Sequence, residues 1–245
     1  MKKCMLCDSG TLILLEKKLN INGKINDIYI CSKCFVITNG STFENIVLQE
    51  EGLDNFYRYS EDEIGKIDYY VGCNKNILQS VLPFFMDRHG VASLHDKTLL
   101  EIGCGRGFLL IAASQLGFKK AIGIDLNMNT FNETKRHIEI KDNVAVVTDI
   151  KDAKDQVDCV VMWHTLEHIY DPNFFFRNLR PKLNNGCIFF IQVPQYYQPY
   201  ICDTHYYFYT DPSMRTLFQI NGCETLQIGY DPTYQFMTAI GRFTG

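Results

Sequence analysis

The stretch "LLEIGCGRGFLL" at residues 99–110 sets glycines at 103, 105 and 107 between two apolar runs, with one acid, Glu101, just ahead of them. The run before the glycines reads as a strand, "TLLEI" (98–102). The run after them, "GFLLIAASQLG" (107–117), reads as a helix. A tight strand-to-helix turn needs one glycine or two. Three at alternate positions argue that a ligand lies against the backbone there.

The same alternation continues downstream. "AIGID" (121–125) and "VAVVTD" (144–149) read as strands on either side of a helix, "MNTFNETKRHIE" (128–139). "DCVVMW" (158–163) is the next strand. Asp171 followed by Pro172 then opens a helix running to Leu183, closed by Asn185-Gly186 ahead of the strand "CIFFIQV" (187–193). Asp211-Pro212 starts a further helix that ends at Gly222, and "ETLQIG" (224–229) and "QFMTAIG" (235–241) close the chain. The short "YDPTY" link between those last two strands can join only an antiparallel pair. The expected fold is therefore α/β: a doubly wound, seven-stranded, mostly parallel sheet whose last strand is antiparallel.

Upstream of the glycines, "NILQSVLPFFMDRHG" (76–90) has a helical pattern with a kink expected at Pro83. Before it lies an acidic, tyrosine-rich linker in which Tyr57, Tyr59, Tyr69 and Tyr70 are candidate lid residues. At the amino terminus, "CMLC" (4–7) and "CSKC" (31–34) bracket two strand-like stretches and hairpin-turn chemistry at Asn22-Gly23. Two such knuckles read as a zinc ribbon, with Cys4, Cys7, Cys31 and Cys34 holding one structural zinc. The expected organisation is a zinc ribbon at 1–40, a linker and lid helix at 41–75, and the main domain at 76–245. The main domain, with its own hydrophobic sheet, is expected to stay folded when the ribbon loses its metal.

Composition bounds the function. The 245 residues are 46% hydrophobic, and no apolar run is long enough to span a bilayer. Asp8 interrupts the amino-terminal stretch, which argues against a secretory signal, so a soluble cytoplasmic protein is expected. Six of the ten cysteines are scattered and read as small buried hydrophobes rather than a disulfide framework. The net charge is −4 and basic runs are lacking; the ribbon carries six lysines against three acids, which four thiolates around a zinc largely cancel. Nucleic acid is thus not the expected partner, and a small-molecule acceptor is.

The glycine spacing does not fit the dinucleotide fingerprint G-x-G-x-x-G, because position 108 is Phe. "EIGCGRG" with Asp125 at the end of the next strand resembles instead the class I S-adenosylmethionine-dependent methyltransferases. "VTDI", "WHTLEHIYDP" and "HYYFYT" follow in that family's order, so the resemblance covers about residues 76–245. It implies that Gly103, Gly105 and Gly107 pass against the cofactor, that Asp125 accepts both ribose hydroxyls, and that Asp149 lies near the adenine amino group. The resemblance also implies that Glu101 orders the loop and approaches the cofactor's amino group; the alternative is an ordinary strand-end carboxylate. Cys104, Phe108, Leu126, Ile150 and His164 fall among the cofactor-lining positions. Cys104 and Arg106 are read as serving loop geometry.

Methyl transfer from a sulfonium is an in-line displacement governed by positioning. A hydroxyl or acidic carbon acceptor also needs a base, and His164, His168 and His205 are the candidates. For His168 the alternative is simple packing within "LEH". The cysteine knuckles and the late His-aromatic motif resemble deoxysugar C-methyltransferases, although Thr204-His205 stands where those enzymes carry Glu-His. His164-x-x-Glu167-His168 with His205 is also similar to the metal-binding pattern of small-RNA 2′-O-methyltransferases, where a Glu takes the place of His164; the alternative is that Glu167 caps a helix. The reading is methyl transfer to a sugar, lipid precursor or other metabolite with His205 as candidate general base. The alternatives are a metal-assisted RNA methyltransferase, a zinc-ribbon ribosomal-RNA base methyltransferase, or a cofactor-binding zinc-ribbon scaffold without catalysis.

Overall fold

The computed structural model describes residues 3–40, 59–86 and 93–245. Seven strands form the large sheet: β4 (Thr98–Ile102), β5 (Lys120–Ile124), β6 (Val144–Val147), β7 (Val157–Trp163), β8 (Leu183–Pro194), β10 (Cys223–Tyr230) and β11 (Phe236–Phe243). Their order is β10-β11-β8-β7-β4-β5-β6. β4–β5 and β5–β6 pair in parallel, Glu101 facing Gly123, and β10–β11 pair antiparallel. Every residue of β4 is buried, as a strand covered on both faces requires.

The chain divides into two compact units, one of residues 49–161 and 182–188, the other of 1–48, 162–181 and 189–245. The first contains β4–β6 and the helices α1 (Glu61–Ile64), α2 (Ile67–Gln79), α3 (Phe108–Leu116) and α4 (Met128–Lys135). The helix expected from Asn76 begins nine residues earlier. Ile67, Val71 and Leu78 form its buried face, a spacing that the intervening tyrosines disguise in the sequence. It stops before Pro83, which sits instead in a 3₁₀ turn at Leu82–Phe85. Residues 87–90 of the expected helix, Tyr57 and most of the expected linker lie outside the described residues.

The second unit holds the cysteine knuckles and a four-stranded sheet, β1 (Leu12–Leu19), β2 (Ile25–Cys31), β3 (Ile37–Asn39) and β9 (Tyr207–Phe208), in the order β1-β2-β3-β9. The β1–β2 hairpin turns at Gly23, whose φ is +78°, and Asn20 organises it by accepting from the amides of Asn22 and Lys24 at 2.9 Å each. β9 comes from the far end of the chain, Ile37 pairing with Phe208, so this sheet bridges the boundary expected at residue 40. Tyr207, Phe208 and Tyr209, the aromatics of the late His-aromatic motif, are fully buried and serve as core. The helix α5 (Pro172–Leu179) starts as expected, with Asp171 accepting from the Phe174 amide at 2.8 Å. It ends earlier than expected: Arg180 keeps helical backbone, but the chain tightens into a 3₁₀ turn at Arg180–Lys182 and β8 is already running at Leu183. The last helix, α6 (Asp211–Ile220), is capped by Thr210 through a reciprocal bond with Ser213. Among the described residues, no helix is long and apolar enough to cross a membrane.

Candidate functional site

In an open parallel sheet, ligands lie beyond the carboxyl ends of the strands where strand order reverses. β4 occupies that position in the order, and the glycine loop follows it. Gly103, Gly105 and Gly107 have φ of +72°, +47° and +74°, so each adopts left-handed backbone. Loop conformation therefore accounts for all three glycines without a ligand, which corrects the argument from their number. Gly107 carries a second constraint: a Cβ there would stand 2.5 Å from the Phe131 ring. At Gly105 a Cβ would meet nothing within 4 Å among the described residues, leaving the loop's surface open at that point.

Asp125, just past β5, accepts from the Gly105 amide at 2.7 Å and from the Asn127 amide at 2.9 Å. Two amides hold this carboxylate in place while its remaining lone pairs stay available to a ligand. Glu101 is buried beneath the loop, and its Oε2 has no hydrogen-bond partner among the described residues. Burial, and then the charge of Asp125, push the Glu101 carboxyl well above the usual carboxylate range. Cys104 is buried, and Leu126 is 78% exposed. Asp149 is half exposed and accepts from the Lys151 amide at 2.9 Å; Ile150 beside it is half-buried.

Arg106 does more than shape the loop. Its guanidinium pairs with Glu63 at 3.1 Å and lies over the Tyr59 ring at 4.1 Å, and Thr134 donates to its carbonyl at 2.8 Å. Phe108 stacks on Tyr70 with centroids 5.4 Å apart. Two of the four candidate lid tyrosines thus touch the glycine-loop segment, while Tyr69 is exposed.

The three candidate histidines belong to the second unit. His164, directly after β7, has a φ of +53°, a conformation rare for a residue with a Cβ, and its ring packs edge-on against Phe236. Its Nδ1 lies 3.9 Å from Glu167 Oε1, and His168 Nε2 lies 4.0 Å from the same oxygen. The His168 and His205 rings meet edge to face with centroids 4.6 Å apart. Glu167 is 1% exposed, sits in a 3₁₀ turn, and neither of its carboxylate oxygens has a hydrogen-bond partner among the described residues, so it caps no helix. Burial pushes its carboxyl up to about 8. Burial and the neighbouring His205 bring His168 down to about 4, and burial also lowers His164 and His205, so the imidazoles stay neutral.

The sequence profile of the family described as "Methyltransferase domain" matches residues 77–228. The chain belongs to that family. The solved structure of magnesium protoporphyrin IX methyltransferase from Synechocystis, with S-adenosylmethionine bound, superposes with a TM-score of 0.56 over 82% of this chain and 100% of that one. At 13% identity the likeness is one of fold. Among curated relatives, the ribosomal protein L11 methyltransferase of Clostridium botulinum is 42% identical over 48 residues, 20% of this chain and 15% of that protein. The tRNA U34 carboxymethyltransferase of Campylobacter hominis is 32% identical over 113 residues, 44% of this chain and 37% of that protein. The chain thus matches well under half the length of either relative.

Outside the span matched to the methyltransferase domain, Cys4, Cys7, Cys31 and Cys34 bring their sulfurs within 4.8 Å of one another. Cys4 and Cys34 are 3.7 Å apart and Cys7 and Cys31 are 3.6 Å apart. A tetrahedral metal with 2.3 Å bonds to sulfur requires edges of about 3.8 Å. The amides of Lys33 and Cys34 point at Cys31 Sγ from 3.4 and 3.5 Å. Gly10 closes the knuckle, since a Cβ there would stand 2.2 Å from Cys31 Sγ. Of the scattered cysteines, Cys104, Cys159, Cys187 and Cys223 are buried as expected, while Cys73 and Cys202 are half-buried.

Sequence reasoning missed Arg106 as the link to the Tyr59–Glu63 segment, Gly10, and the orphaned state of Glu167. Gly10, three residues past the first knuckle, had a local signal. The other two depend on neighbours distant in the chain.

Proposed function

We infer that this protein is an S-adenosylmethionine-dependent methyltransferase acting on a small-molecule acceptor. The observation that carries this reading is the buried carboxyl of Glu101, whose Oε2 has no hydrogen-bond partner among the described residues, beneath a glycine loop whose neighbour Asp125 is held by two backbone amides. A buried carboxylate oxygen left unpaired is costly, and a ligand ammonium would relieve it. When bound, S-adenosylmethionine supplies a sulfonium methyl to a nucleophile. Glu101 takes the amino group, Asp125 the ribose hydroxyls, and Asp149 with Ile150 the adenine edge. The loop at Gly103–Gly107, with Cys104 buried behind it, lets the cofactor approach the backbone.

His205, with His164 and His168 beside Glu167, is the place where the acceptor loses its proton. Neutral imidazoles suit a base at neutral pH. His205 would take the proton that the acceptor atom loses as it is methylated. The four amino-terminal cysteines hold one structural zinc. The unpaired thiols fit the cytoplasmic setting read from the sequence.

A small-molecule acceptor is favoured by the net charge of −4 and the nearly neutral cysteine-ribbon segment. The tRNA-acting relative supplies the competing reading. The test is methyl transfer from isotopically labelled S-adenosylmethionine into a cell extract separated into RNA, protein and metabolite fractions. Label in the metabolite fraction is expected. Label confined to RNA or protein overturns the acceptor class, and label in no fraction overturns the activity.

A further inference from the structure

The β1–β2 hairpin stands at the edge of the four-stranded sheet and carries aliphatic side chains into water. Ile13, Leu14, Leu15, Leu19, Ile21 and Ile25 are each 46–65% exposed. Among the described residues β1 pairs with β2 alone, so its other edge has no strand beside it. Edge strands are ordinarily guarded by charge, proline or a bulge that turns the edge away. β1 has its bulge at Leu15, between Leu14 and Glu16, and the residue there is apolar and exposed.

The register fixes which side chains share a face. Leu14 lies opposite Tyr29, Lys17 opposite Asp27 and Leu19 opposite Ile25, and directly opposed side chains point the same way. The other face, with Glu16 opposite Ile28, is turned inward: Ile28 is fully buried, and Tyr196 donates to Glu16 at 2.6 Å. Leu14, Leu19 and Ile25 thus form an outward face, continued by Leu15 at the bulge and Ile21 in the turn. The charges along it are balanced within the chain. Lys17 pairs with Asp27 at 3.1 Å across the hairpin, and Lys18 with Glu16 at 3.5 Å. Exposed groups of opposite sign stand at its two ends, Lys24 beside the turn and Asp8 at the first cysteine knuckle, which closes on Cys31 opposite Leu12. Neither has an ion pair among the described residues.

We propose that this hairpin face is the contact surface of a homodimer in which two copies lie antiparallel about a two-fold axis. A half-exposed leucine or isoleucine leaves about 100 Å² in water, so the five on this face present roughly 500 Å² per chain, a patch of the size that marks an interaction site. Two such patches bury about 1,000 Å² before the lysine stems are counted, the size from which specific interfaces begin. A two-fold contact sets each surface against itself, so an uncompensated charge at its centre would meet its own copy. Here the central lysines are neutralised by Asp27 and Glu16. The antiparallel arrangement brings the turn of each hairpin to the knuckle of the other, where Lys24 faces the partner's Asp8. The same balance disfavours an anionic bilayer or a nucleic acid, which needs free cations spread across the face. The proposal rests on this hairpin alone and does not depend on the methyltransferase reading.

The experiment follows the full chain by sedimentation velocity from about 1 to 100 µM, the range expected of an interface this small. The mass is expected to rise from one 28.3 kDa chain to two across that range. Leu19→Lys with Ile25→Glu puts an opposed ion pair where two exposed aliphatics stand, which the single hairpin tolerates, and should weaken the dimer about 100-fold. Lys24→Glu sets two acids together at each end and should weaken it about tenfold. Asp8→Asn, which suits the φ of +52° at that residue, should weaken the parent yet recover part of the Lys24→Glu loss. Should a variant fail to fold, hydrogen exchange on the parent chain decides: amides of residues 12–19 are expected to gain protection as concentration rises. A single chain at the highest concentration overturns the proposal, as does exchange at 12–19 that ignores concentration. A dimer unaffected by Leu19→Lys with Ile25→Glu places the contact elsewhere, and additive losses from Asp8→Asn and Lys24→Glu refute the antiparallel arrangement. Single chains that co-sediment with phosphatidylglycerol vesicles would assign the face to a membrane and overturn it too.

Discussion

The amide of Gly105 donates to Asp125 Oδ2 across 2.7 Å, tying the loop after β4 to the end of β5. One short bond thus joins the residue whose surface lies open to the carboxylate that the family resemblance assigns to the ribose. Because the Asn127 amide holds the other oxygen, Asp125 is set before any ligand arrives, and binding spends little free energy on ordering it.

Asp125→Ala is therefore expected to weaken S-adenosylmethionine binding by roughly 1.5–3 kcal/mol, the range for hydrogen bonds to a charged group. Titration calorimetry measures this directly. Asp125→Asn, which keeps one acceptor, should fall between the two. Unchanged affinity in the alanine variant would remove Asp125 from the cofactor site.

Glu101 links pH to both stability and binding. Its folded-state pKa is raised by burial and by Asp125, so its contribution to stability is complete below the ordinary carboxylate pKa near 4.5 and is lost as pH rises toward the folded value. Glu101→Gln should flatten that decline, measured as the difference in denaturation free energy between variant and parent from pH 4 to 8. A cofactor ammonium favours the ionised carboxylate, so binding to the parent should release a proton and tighten with rising pH. Calorimetry in buffers of different ionisation enthalpy reads the proton. Absence of proton release across this range would place the amino group elsewhere.

The cysteine cluster is tied to the distant end of the chain. Asn173 donates to the carbonyls of Met5 and Leu6 at 3.0 and 2.7 Å, Thr210 donates to the Phe35 carbonyl at 3.2 Å, and β9 pairs with β3. Chelation, or Cys31→Ser with Cys34→Ser, is expected to remove one zinc per chain and to raise amide hydrogen exchange across residues 203–210, with cofactor affinity retained. Elemental analysis and exchange mass spectrometry provide the two readouts. Unperturbed exchange at 203–210 would show that residues 1–40 fold on their own, as the sequence suggests.

His205→Ala is expected to lower turnover about 10²–10⁴-fold and to leave S-adenosylmethionine affinity close to that of the parent. Single-turnover kinetics on the identified acceptor separate the two effects. Full turnover in this variant would leave positioning alone to carry the reaction.

The sequence by itself determined the alternation of strands and helices, the strand-to-helix turn at Gly103–Gly107, the acids at the ends of β5 and β6, the Asp171 cap and the antiparallel pair that closes the chain. These are local signals: apolar period, turn chemistry and caps act over a few residues and are written in order along the chain. Tertiary structure decided the rest. α2 starts at Ile67 because burial of Ile67, Val71 and Leu78 outweighs the look of "DYY", and Tyr207–Tyr209 became core because β9 completes a sheet begun some 170 residues earlier. Arg106 pairs with Glu63 across more than forty residues, and among the described residues the Glu167 carboxyl is left without a hydrogen bond by the way its turn is buried. A residue's partner in space, and the water it loses on burial, depend on chain segments far away in sequence. That is why the histidines could be named from the sequence, while the orphaned carboxylate among them became visible only in the fold.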